Sequence, residues 1–172
     1  MVLALVGLLA LAVGGGAGYA AQRGLGTPTD RSLDDASGTL SVTVPAEWDR
    51  ADATQGWTPP GERSTYPALS VGTSRSWTTS RTGEGVFVAL LGSTELPEQP
   101  PQHPECDAAG SPITDSRDGD DSMTVTYSGC PGGVVVERVA KVTSNMLLWV
   151  QVRSRSQATA YRVLDGVETH GI

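Results

Sequence analysis

Apolar and polar positions alternate along most of the chain beyond residue 39. Leu40, Val42 and Val44 alternate with Thr39, Ser41 and Thr43, the period of a half-buried strand, and Pro45 ends the run. Residues 66–71 form a weaker strand candidate. Residues 85–91, GVFVALL, are apolar on both faces, so this strand must be covered on both sides and belongs at the centre of a sheet. Met123, Val125 and Tyr127 alternate with Thr124 and Thr126. The β-branched run 134–142 pairs back onto them through residues 129–133, GCPGG, whose glycines supply the positive φ that a reversal needs. Residues 146–153 follow, with Leu148, Val150 and Val152 on one face and Trp149, Gln151 and Arg153 on the other. The period then changes. Ala160, Leu164 and Val167 fall at helical spacing, Ser156 is an N-cap candidate and Gly171 lies past the end. A second short helix is expected within residues 48–53 or 92–97, with Pro59, Pro60 and Gly61 limiting the first. Antiparallel strands closed by one amphipathic C-terminal helix make an α+β plan, the helix lying on one sheet face.

The front of the chain has a different pattern. Residues 1–21, MVLALVGLLALAVGGGAGYAA, carry no charge and would reach about 31 Å as a helix, near the hydrocarbon thickness of a bilayer. Residues 1–22 therefore read as a transmembrane anchor or uncleaved signal in contact with lipid. Gly18-Tyr19-Ala20 offers an alternative cleavage site, which would leave the domain secreted, but no basic n-region precedes the long run. Arg23 and Arg31 follow the segment, and positive residues favour the cytoplasmic side, whereas long domains translocate largely regardless of charge. The expectation is an extracytoplasmic C-terminal domain, with a translation start further upstream carrying a basic stub. Gly14 and Gly18 make a GxxxG pair, a spacing that membrane helices also show without dimerising. Residues 23–38, rich in Gly, Ser, Thr and Asp, read as a flexible linker, and residues 39–172 as one domain.

Charge narrows the partners. The net charge is −7, Lys141 is the single lysine and the arginines are scattered, so no phosphate-binding surface is expected and nucleic acid is not a partner. Cys106 and Cys130 are the only cysteines. Behind a membrane segment they read as one disulfide, contributing about 3.5 kcal/mol by chain entropy. A redox or metal pair would need CxxC spacing or further ligands nearby.

Candidate chemistry is sparse. His103, in the proline-stiffened PPQHPEC, and His170, near the C-terminus, read as exposed loop histidines, and no G-x-S-x-G precedes a helix. The acidic run Asp115, Asp118, Asp120, Asp121 lacks the twelfth-position acid of a calcium loop and reads as a hairpin tip. No catalytic residue, cofactor site or metal site is assigned. Pro97, Pro100, Pro101 and Pro104 make a stiff surface loop. Trp149 is exposed unless a loop or helix covers its face. Trp57 and Trp77, in turn-rich surroundings, are candidates for a recognition surface, with capping of the core as the alternative.

Together, residues 38–48 (GTLSVTVPAEW), Gly56-Trp57, Gly85-Val86-Phe87-Val88, His103-Pro104-Glu105-Cys106, Ser128-Gly129-Cys130 and residues 148–153 (LWVQVR) carry a resemblance. The chain resembles the extracytoplasmic domain attached, after one membrane helix, to Ser/Thr protein kinases and stand-alone membrane proteins of high-GC Gram-positive bacteria. It is distantly similar to the Mog1/PsbP-type α/β/α sandwich. The resemblance implies a Cys106–Cys130 bridge and a non-enzymatic sensing or docking domain. It supplies no catalytic residues, and no kinase domain precedes the apolar run here. The expected function is membrane-anchored sensing or binding without catalysis. A structural accessory role in the cell envelope is the alternative, and a carboxylate-dependent hydrolase ranks third.

Overall fold

The computed structural model describes residues 30–53, 56–117 and 120–172. The expected anchor, residues 1–22, lies outside the described residues. Among the described residues no helix is long and apolar enough to cross a membrane.

Among the described residues, two antiparallel sheets and one helix build the domain. A small sheet has the order β1 (Arg31–Asp34), β2 (Leu40–Val44), β11 (Val167–Thr169). An eight-stranded sheet runs in space through β3 (Arg50–Asp52), β4 (Ala68–Gly72), β5 (Gly85–Gly92), β10 (Met146–Ser154), β9 (Gly133–Thr143), β8 (Asp120–Cys130) and β6 (Ala108–Ala109). Its remaining strand, β7 (Ile113–Arg117), also pairs with β8. The single described helix, α1 (Gln157–Asp165), packs on the large sheet. The chain is thus α+β, largely antiparallel, with a C-terminal helix on the sheet.

Most elements follow from the sequence pattern. The strand apolar on both faces, β5, lies inside the sheet between β4 and β10. The hydroxyl of Ser156 accepts from the Thr159 backbone N–H at the start of α1, as an N-cap should. The helix closes on Gly166, whose N–H donates to the carbonyls of Arg162 and Val163, and Gly171 lies further past the end. Leu148, Val150 and Val152 bury against Ala160, Val163 and Leu164 of α1 and Leu40, Val42 and Val44 of β2. Arg117 of β7 pairs with Asp120 of β8, while Asp118 of the acidic run, where a hairpin tip is expected, lies outside the described residues.

Two expectations about the elements differ from the structure. Residues 31–34, placed in the flexible linker, are the strand β1, so the folded unit begins before residue 39. Only Leu33 packs against the core, too sparse a pattern to signal a strand, and the pairing with β2 makes it one. The turn between them is closed by Asp35, whose carboxylate accepts from the backbone N–H of Leu40 at 2.8 Å and of Ser37 at 3.0 Å. Burial works to raise the Asp35 pKa, but these bonds and the Ser37 hydroxyl prevail and hold it below the ordinary 3.8. Residues 48–53 and 92–97 hold no helix. Arg50–Asp52 pairs with β4 instead, because the open edge of the large sheet offers backbone partners that a one-turn helix lacks.

One sheet face carries the main core, α1 and the small sheet. The other face is covered by the loops of residues 73–84 and 93–107. Cys106 and Cys130 are joined, S–S 2.05 Å, tying the second loop to the end of β8 above Val125, Tyr127 and Val135. Reduction of this bridge is expected to lower the unfolding free energy by about 3.5 kcal/mol. Urea melts with and without reductant measure it; coincident curves would contradict the stabilising role.

Candidate functional site

The site grows from the loop-covered face of the large sheet. Pairing across five strands aligns Ser70 of β4, Phe87 of β5, Gln151 of β10, Glu137 of β9 and Val125 of β8 in one row. The next row aligns Ala68, Ala89, Trp149 and Val139. Cross-strand neighbours share a face, so the register alone places Trp149 diagonally beside both Phe87 and Glu137.

Trp57, Phe87 and Trp149 form a mutual aromatic cluster. Centroid separations are 5.5 Å for Trp57–Phe87, 5.2 Å for Trp57–Trp149 and 5.3 Å for Phe87–Trp149, with tilted or edge-on planes. Such pairs stabilise by about 0.5–1.5 kcal/mol each beyond burial. Trp57 reaches the cluster because its backbone pairs with Tyr66 in an isolated bridge, N to O 2.8 Å in both directions. Trp149 is half-buried, covered by Trp57 and the proline loop.

The indole of Trp149 is oriented by a buried carboxylate. Glu137 has no exposed surface; its Oε2 accepts from Trp149 Nε1 at 2.6 Å and its Oε1 lies 2.7 Å from His103 Nε2. His103 Nδ1 lies 3.0 Å from Glu105 Oε1, and Gln151 Nε2 sits 3.3 Å from His103 Nε2. The imidazole edge meets the Tyr127 ring at 4.8 Å, and the Tyr127 hydroxyl donates to the Pro101 carbonyl at 3.0 Å. His103 was expected to be exposed. Its side chain is only 7% exposed, because the disulfide three residues on and the Glu137 carboxylate draw the loop onto the sheet. His170 is half-exposed as expected and meets Ser41 Oγ at 2.8 Å.

Both ring nitrogens of His103 face carboxylate oxygens, so each contact needs a proton. Glu105 is held below its ordinary 4.5 by its own backbone N–H and by His103, and remains ionised. Burial pulls the His103 pKa down, but hydrogen bonds to Glu137 and Glu105 and their charges prevail and raise it above 6.5. Burial raises the Glu137 pKa as well, against the bonds from His103 and Trp149. The two shifts agree: the buried pair keeps one proton between Nε2 and Oε1. With both oxygens of Glu137 engaged, this group fixes the loop and the indole rather than facing a reactant.

Beside it opens a cleft of about 620 Å³. Trp149, Val139 and Leu147 line its sheet side, and Trp57, Leu91, Pro97, Pro100 and Pro101 also bound it. Glu62, Glu95, Ser93, Gln99 and Gln102 are its polar groups. The size suits a small organic ligand. A second hollow lies around residues 78–81, Glu105 and Arg153. There the Arg153 guanidinium already donates to the Ser80 carbonyl at 2.6 Å and lies 3.8 Å from Glu105.

Of the two tryptophans expected at a recognition surface, Trp57 lines the cleft, whereas Trp77 is fully buried and does not. It covers Gly72 and Gly85, where no side chain holds it off the sheet. Glu137 was missed by the sequence reading. Its signal is a lone carboxylate inside VVVERVAKV, a run otherwise suited to burial, which calls for a buried partner. Among the described residues no cluster of three or more His, Cys, Asp or Glu could hold a metal ion. No protein-family model matches the chain, and no curated protein matches it.

Proposed function

We propose that the chain is a membrane-anchored extracytoplasmic domain that binds a small ligand in the Trp57–Trp149 cleft and performs no chemistry on it. The cleft carries this reading: its walls are aromatic, aliphatic and proline surfaces, and its buried carboxylate is committed to holding Trp149. The uncharged residues 1–21 and the Cys106–Cys130 bridge support a location across the membrane. The likeness to the extracytoplasmic domains of membrane-anchored kinases, and distantly to Mog1/PsbP-type folds, belongs to the same proposal. Here α1 covers one sheet face while loops cover the other.

A topology reporter tests the location. Alkaline phosphatase fused after Ile172 is expected to be active, and the intact mass of the membrane-bound chain should show no free thiol. An inactive reporter together with a free-thiol count of two would overturn the placement.

A further inference from the structure

Resting on the cleft as the binding site, we infer that its ligand is a small organic ammonium compound: a cationic nitrogen on an apolar stem. The stem has its complement in Trp149, Leu147, Val139 and the proline wall. The charge has its complement in Glu62 and Glu95, both exposed at the cleft and both acidic. Among the described lining residues none is Lys, Arg or His, so an anionic ligand would meet carboxylates and no counter-charge. One oxygen of Glu62 accepts from the Tyr66 hydroxyl at 3.1 Å, which holds its carboxylate in place.

Three physical effects act in the same direction. An indole face attracts a cation through its quadrupole, most strongly where water is partly excluded, and Trp57 and Trp149 both border the cleft. A carboxylate close to a bound ammonium adds a Coulomb attraction that is modest at an exposed site and depends on salt. The chain's net charge of −7 draws cations toward it at longer range. A cleft made only of apolar groups would favour a neutral ligand. The carboxylates shift that preference toward the cation, with no basic side chain among the described lining residues.

The test uses three probes of one shape: 3-phenylpropyltrimethylammonium, 3-phenylpropanol and 4-phenylbutyrate. Each is titrated against the full chain in phosphatidylcholine nanodiscs, following the indole NMR signals of Trp57 and Trp149. The ammonium probe is expected to bind at least about tenfold more tightly than the alcohol, and the carboxylate more weakly than either. The variant Glu62→Gln/Glu95→Gln should remove the carboxylate share of the ammonium's advantage over the alcohol, leaving only the share that comes from the indole faces. Because both residues are exposed, this variant should fold as the parent does. Equal binding of ammonium and alcohol, or an unaltered preference in the double variant, would overturn the ligand class while leaving the cleft as a binding site. If none of the three probes moves the Trp57 and Trp149 signals, the cleft reading and this inference both fail.

Discussion

Trp77→Ala is expected to lower the unfolding free energy by about 3–5 kcal/mol, the range for truncating a fully buried large aromatic side chain. Trp77 has no exposed surface and donates from Nε1 to Ser70 Oγ at 3.0 Å. Its indole lies flush on the sheet. A Cβ added at Gly72 would stand 2.6 Å from its Cδ1, and one added at Gly85 would stand 2.6 Å from its Cε2. The surrounding backbone cannot collapse into the space, because Thr73 and Glu84 pin the neck of the loop and Arg153 Nη1 pins the Ser80 carbonyl. The cavity therefore persists, and its cost adds to the lost burial. Urea denaturation measures the change. A loss below about 1 kcal/mol would mean that the loop is not part of the core. Gly85→Ala approaches the same contact from below: the added methyl displaces the indole and should also destabilise.

His103→Leu is the second large effect, and its expected cost is about 3–5 kcal/mol, since it strands a fully buried carboxylate without its partner. The paired variant His103→Leu/Glu137→Leu removes both charges and should recover most of that loss, as apolar replacement of a buried pair commonly does. Failure of the pair to recover would show that the hydrogen bond Trp149 donates to Glu137, rather than charge pairing, is what matters. The pH dependence has a definite sign. The folded-state pKa of His103 stands above 6.5, so its contribution is complete below that value and is lost as pH rises through the folded one. Glu137 is also raised, and because the pair holds one proton the two shifts describe a single loss of the same sign. Parent stability should therefore fall as pH rises above about 6.5, with the slope absent in the double leucine variant. A parent curve that rises over that window would contradict the shared proton.

How much of this was legible in the chain differs from element to element. Strands with strict alternation, such as Leu40–Val44 and Met146–Ser154, were placed from pattern alone, because a half-buried strand must alternate to bury one face. The C-terminal helix was legible through its Ser156 cap and its change of period. β1 was not, since a four-residue strand with one packed apolar side chain exists only because β2 offers it a ladder. Arg50–Asp52, expected within a helix, took its form from the edge of β4 for the same reason.

The site divides along the same line. Trp57 was a candidate and lines the cleft, but Trp77, read from similar turn-rich surroundings, proved to be core. What separated them was the pair of glycines on neighbouring strands, which come side by side only through the β4–β5 register. His103 and Glu137 lie 34 positions apart, and no local pattern links a histidine in a proline loop to a carboxylate in a β-branched strand. Taken by itself, the order of residues determined the period of the longer strands and of the C-terminal helix, the fold class and the presence of a pairable cysteine couple, because these depend on neighbours a few positions away. Only the tertiary structure decided which tryptophan is buried, which histidine is paired and where a cleft opens, because those outcomes depend on strand register and loop closure, which bring distant residues into contact.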